Sequence, residues 1–167
     1  VPDSDELSFV SGPAIRPYIS FSGTGNKYAQ AADSDSLSFV SDPPNDNIDA
    51  PFSASLWAKF SNDEDGILFT KVGEYKLERS VTYGFTLELK GGGTFYYDSD
   101  PNITPGDWYN IVVTYDGLSN NNSVTFYLNG VAQAGTASSG HSEMGNTTGI
   151  FAVGTDLETS MRDLVIF

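Results

Sequence analysis

Two adjacent residues, Asn129 and Gly130, limit what this chain can become more than any other pair. Both tolerate the positive φ that a type I′ turn requires at its two central positions, and both sit between alternating apolar runs. Before them Val124, Phe126 and Leu128 alternate with Thr125 and Tyr127; after them residues 131–134 are expected to fold straight back. The preceding strand is written as plainly. Tyr109, Ile111, Val113 and Tyr115 fall on one face and Asn110, Val112 and Thr114 on the other, the period of two that a strand imposes. Asp116-Gly117 ends that strand ahead of a polar loop at 118–122. Residues 107–134 thus predict two or three consecutive antiparallel strands, and no helix fits.

The same grammar runs through the rest of the chain. Turn clusters at 23–26, 42–47, 62–66, 91–93 and 101–106 separate short segments rich in β-branched and aromatic residues, the pattern of an all-β, two-sheet antiparallel sandwich. Phe52, Ala54, Leu56, Ala58 and Phe60 share one face, expected to be the core, and Ser53, Ser55, Trp57 and Lys59 share the other. Phe85, Leu87 and Leu89 likewise oppose Thr86, Glu88 and Lys90, so each sheet is expected to have one apolar and one mixed face.

A chain of 167 residues fits one domain and buries about two-thirds of its unfolded surface without help from metal or disulfide. Eight basic against 22 acidic residues give a net charge of −14, which repels phosphate backbones and anionic lipid, so neither nucleic acid nor a membrane surface is an expected partner. Cysteine is absent, so the fold is independent of redox state. No apolar run is long enough to span a bilayer, and no signal peptide is read. The chain opens on Val1-Pro2 and closes on an apolar strand at 163–167, which we read as a processed chain or one module of a longer protein.

Residues 3–13 (DSDELSFVSGP) recur thirty residues later as 33–43 (DSDSLSFVSDP), with nine identities in eleven. Segments 1–13 are accordingly read as a strap or linker and 14–167 as the domain. The duplication is either a local repeat or a tail from a preceding similar module. Alternatively, two nearly identical strands suit the same edge position, so the first copy pairs with a neighbouring subunit where the second pairs internally.

Trp108, the apolar run 111–113, Tyr115-Asp116-Gly117 and Phe126-Tyr127-Leu128-Asn129-Gly130 resemble the central signature of laminin-G-like domains, members of the concanavalin A-like lectin/glucanase group. Residues 18–23, 52–60, 66–71 and 162–167 resemble that family's opening, tryptophan-bearing, following and closing strands, in order, so the resemblance covers about residues 14–167. It implies a concanavalin A-like jelly roll, and it implies a rim calcium, since many relatives hold one ion between loops. Ca²⁺ takes six to eight oxygens. Asp98, Asp100 and Asn102 are the expected ligands, with 62–65 and Asp156/Glu158 as further oxygen donors, although no single cluster is complete.

Trp57, Trp108, Tyr96 and Tyr97 are the candidate ligand-binding residues, because a flat ring beside amides or carboxylates is how proteins hold a pyranose. Catalysis is not expected. Glu88 has Thr86 and Lys90 as same-face neighbours, so no acid pair is expected there for glycoside hydrolysis; the single His141 lies in a Gly/Ser-rich loop. Two readings follow. The first is a non-catalytic recognition or adhesion module for a glycan or surface protein, extracellular, on a cell surface or on a virion. The second is a structural brick of a phage decoration, fibre or tail type, assembled by self-association or with a neighbouring structural subunit.

Overall fold

Alternation decides the architecture. In the computed structural model, which describes residues 8–12, 15–22, 27–40, 49–90, 93–97, 103–118, 122–139 and 144–167, the described residues form strands and one turn of 3-10 helix at Asp35–Leu37. Sheet A runs in the order β1 (Ser8–Gly12), β2 (Ile15–Ser22), β14 (Glu158–Ile166), β4 (Phe52–Phe60), β9 (Trp108–Tyr115), β10 (Val124–Leu128), β11 (Val131–Gln133). Sheet B runs β12 (Gly135–Ser139), β8 (Gly93–Tyr97), β7 (Gly84–Leu89), β6 (Tyr75–Ser80), β5 (Gly66–Lys71), β13 (Phe151–Thr155), β3 (Ala29–Ala31). Neighbouring strands pair antiparallel in both.

Strands β4 and β9 alternate as the sequence predicts, with Phe52, Leu56, Phe60, Ile111 and Val113 buried. Leu77, Phe85, Leu87 and Leu89 of sheet B meet them in one buried cluster. Each large apolar side chain so buried contributes about 1.5–3 kcal/mol, which makes this inter-sheet layer the main favourable term in folding. Asn129 and Gly130 take φ of 51° and 80° and join Leu128 to its partner Val131, the two-residue hairpin that the sequence predicts. Gly154 (φ 78°) is required for another reason: a Cβ there would lie 2.5 Å from the Phe21 ring.

The duplicated segments adopt different structures. Residues 8–12 of the first copy form β1, the edge strand of sheet A, paired to β2. The second copy, expected as a strand, instead makes the 3-10 turn, and only Val40 bridges to Asp49. Its backbone bonds locally instead, the Leu37 amide to the Ser34 carbonyl at 2.9 Å and the Ser38 amide to the Asp35 carbonyl at 3.1 Å, and these groups are lost to strand pairing. Beyond the turn, Phe39 stacks on Phe52 at 4.7 Å between ring centroids and so belongs to the core.

Two buried phenols anchor this end of the core. Tyr75 donates to the Leu37 carbonyl at 2.9 Å, and Tyr115 donates to Asp49 Oδ2 at 3.0 Å. Burial, and then the charge of Glu74 for Tyr75 and of Asp49 for Tyr115, raise both pKa values. A raised folded-state value means the stabilisation is present below the unfolded tyrosine pKa of about 10 and is lost as the pH climbs beyond it. Denaturation free energy should therefore be level from neutral pH to about 9 and fall above about 10. Tyr115→Phe should flatten part of that fall while costing about 1–3 kcal/mol at neutral pH, because Asp49 loses a donor; urea titrations across the pH range check both.

Candidate functional site

On the outer face of sheet B the register lines up Gln30, Ala152, Thr70, Lys76 and Glu88 across five strands. Their neighbours along each strand point into the core, as Tyr75, Leu77 and Leu89 do, which turns this row to the outer face, with Gln30 and Glu88 exposed, Thr70 and Lys76 half-buried and Ala152 buried. Lys76 Nζ bonds Glu78 at 2.8 Å and Glu88 at 3.0 Å. Burial alone would lower the lysine pKa, but its bonds to Glu78 and Glu88 outweigh that and raise it. Beside the row lies a cavity of about 450 Å³. Ile67, Val72 and Ile150 give it apolar walls, and Thr70, Lys76, Glu88, Lys90 and Thr155 give it donors and acceptors. Tyr28, 37% exposed, offers a ring at its edge.

An acid pair is thus present where the sequence leads one to expect none. It is assembled across strands, from Glu78 and Glu88, and both carboxylates lie within about 6 Å of each other because both reach one ammonium. That separation resembles a retaining glycosidase pair, but such a pair needs one member to donate a proton, and here a single lysine holds both as acceptors.

The outer face of sheet A carries a different arrangement. Arg162 pairs in register with Trp57, and Lys59 with Trp108. The Arg162 guanidinium carbon lies 4.4 Å from the Trp108 ring centroid and 5.2 Å from that of Trp57. Lys59 Nζ lies 5.6 Å from both Trp108 and Tyr18, and Tyr18 meets Trp108 edge-on at 5.5 Å. Cations and rings therefore interleave across four strands, each contact contributing about 0.5–1 kcal/mol. Among the described residues no carboxylate pairs with Lys59 or Arg162.

Of the residues singled out from sequence, Trp57 and Trp108 come together in this ladder. Tyr96 and Tyr97 sit on the other sheet, in β8, opposite Thr86 and Gly135, and their side chains lie outside the described residues. Asp98, Asp100, Asn102 and His141 also lie outside them. Among the described residues no three His, Cys, Asp or Glu side chains gather as a metal site. The acidic stretch 62–65 is engaged in turn structure: Asp63 pairs with Arg79, Asp65 accepts from the Val81 amide at 2.6 Å, and Asn62 donates to Glu158 at 3.3 Å. Sequence reasoning missed Tyr28, Lys76 and Arg162. Cross-strand register would have found the last two, while Tyr28 lies outside the strands and carries no periodic signal.

Two seven-stranded antiparallel sheets packed face to face, with mixed outer faces, define a lectin-type β-sandwich. A laminin-G family model of the concanavalin A-like lectin/glucanases superfamily matches residues 22–163, and the chain belongs to that superfamily. Among solved structures, domain 4 of AbnA, a GH43 extracellular arabinanase from Geobacillus stearothermophilus solved with arabinotriose, is similar at a TM-score of 0.66 and 16% identity, over 98% of this chain and 76% of that one. The native heptameric SAP-like pentraxin from Limulus polyphemus is similar at a TM-score of 0.55 and 15% identity, over 70% of this chain and 63% of the pentraxin. No curated protein sequence matches the chain.

Both tryptophans of the chain lie in the ladder, so intrinsic fluorescence reports on it alone. Arg162→Ala should red-shift the emission and alter the near-ultraviolet circular dichroism. It should lower stability by only about 1–2 kcal/mol, two cation–ring contacts' worth; an unshifted spectrum would contradict the stacking.

Proposed function

We propose that this domain is a non-catalytic carbohydrate-binding module whose sugar seat is the cavity on the outer face of sheet B. The observation that carries the reading is the partly exposed Tyr28 ring standing beside a fixed row of donors and acceptors, Thr70, Lys76 and Glu88. A sugar ring needs both, an apolar surface to cover its C–H face and oriented polar groups for its hydroxyls. The Glu78–Lys76–Glu88 bridge supplies these groups already in place, which lowers the ordering cost of binding. A similar domain solved with arabinotriose supports this reading.

The outer face of sheet A is the second reading, favoured by its two cations, which among the described residues have no carboxylate partner, in a chain of net charge −14. There Trp57 and Trp108, with Tyr18 and Lys59, would meet the ligand. Calorimetric titration with arabinotriose, followed by a glycan array, separates the two. Tyr28→Ala and Lys76→Ala should each weaken binding at least tenfold while Trp57→Ala leaves it unchanged, because each removes about 1.4 kcal/mol or more of contact. The reverse pattern would move the site to sheet A, and silence across the array would sink the carbohydrate reading.

A further inference from the structure

The second copy of the duplicated segment is seated by contacts from six of its eight described residues. Asp33 pairs with the buried Lys71 at 2.5 Å. Asp35 accepts from Asn146 at 3.0 Å, the Leu37 carbonyl accepts from Tyr75, and Ser38 donates to Glu74 at 3.1 Å. Phe39 stacks on Phe52, its carbonyl accepts from the Ala50 amide at 3.0 Å, and Val40 bridges to Asp49.

Each of these residues has an identical counterpart in the first copy: Asp3, Asp5, Leu7, Ser8, Phe9 and Val10. The one difference within the seat, Glu6 for Ser36, falls at an exposed position whose only side-chain bond is to Ser34 of its own turn. Residues 8–12 pair with β2 through the backbone at a sheet edge, and backbone pairing demands no particular side chains. The sequence retained there is the one that the distant seat reads.

We infer that the seat of residues 33–40 accepts residues 3–10 of a second copy of this chain, so that molecules link by exchanging like for like. Copy one lies at the edge of sheet A and pairs along one side only, with β2 of its own chain. Within the seat the contacts re-form with the guest, and the copy it displaces carries the same Leu-Ser-Phe-Val-Ser run with which the first copy pairs to β2, so the two copies can trade places. This mode of assembly is independent of any sugar bound at sheet B.

The absence of native cysteine makes a direct test available. Ser38 Oγ lies 3.2 Å from Asn146 Oδ1, so a guest segment places Ser8 beside Asn146 of its host. The full chain carrying S8C and N146C should give covalent dimers and longer ladders on mild oxidation, far above either single-cysteine chain, and Phe9→Ser should abolish them. Wild-type mass by light scattering should rise with concentration, and Phe9→Ser alone should hold it at the monomer. Dimer no more abundant than in the single-cysteine controls, a fast-migrating monomer bridged within one chain, cross-linking indifferent to Phe9→Ser, or a wild-type mass fixed at the monomer would each overturn the inference.

Discussion

A buried ammonium organises one end of this sandwich. The Lys71 side chain has no exposed surface, and an unpaired charge in such a place is prohibitively costly, so every acceptor within reach must be held there. Asp33 and the carbonyls of Thr147 (3.1 Å) and Gly149 (2.8 Å) meet it, with Glu74 at 3.2 Å. These partners come from the second repeat copy, the turn between β5 and β6, and the segment leading into β13, three stretches that share no strand ladder at that point. Glu74 extends the tie by accepting from Ser38 and from both the amide and hydroxyl of Thr147. Breaking a buried pair from one side costs about 3–5 kcal/mol, a large part of the 5–15 kcal/mol that holds a domain together.

The same tie shapes the cavity. Val72, Gly73 and Glu74, between Lys71 and β6, form one wall, and residues 147–150 are drawn against it. They pack so closely that a Cβ on Gly149 would lie 2.0 Å from the Val72 carbonyl oxygen, while Gly73 turns with φ of 85°. A wall held by an ion pair and by backbone contact has little room to move, and a rigid wall is what a weak polar ligand requires. The seat of the second copy and the cavity on sheet B thus lie on two sides of one hairpin.

What was legible in the sequence was what repeats with period two. The inward faces of β4 and β9, the β5 bounds and the Asn129-Gly130 turn all follow from residues adjacent in the chain. What escaped requires knowing which strands are neighbours. Glu88 was matched with Thr86 and Lys90 of its own strand, but its chemical partner, Lys76, stands one strand over. Arg162 could be placed in a strand but not between two tryptophans, because β14 joins β2 to β4 only in the folded sheet. The closing strand also begins earlier than Arg162, at Glu158, just after Asp156 turns the chain with φ of 55°. The second repeat copy, a strand only on the reading in which both copies suit one edge position, is instead a turn whose Asp33 meets Lys71, a residue whose burial no local pattern announces.

Charge adds a last constraint on how copies of this chain meet. Two bodies of net charge −14 repel until screening intervenes, at a Debye length of about 8 Å in physiological salt, so long-range attraction cannot bring them together. Several of the eight basic residues are already paired with acids: Arg79 with Asp63 under the Phe60 ring, Arg16 with Asp163, Lys76 between two glutamates. Association therefore has to rest on contacts made after close approach, and the seat of 33–40 offers that kind. Phenylalanine stacking and backbone bonds are indifferent to net charge, and the aspartate at the head of a guest segment meets Lys71, which already pairs with the aspartate it would replace. A guest segment carries one more carboxylate than the copy it would replace, Glu6 for Ser36, but that position of the seat is exposed to water, so the exchange would bury no additional charge.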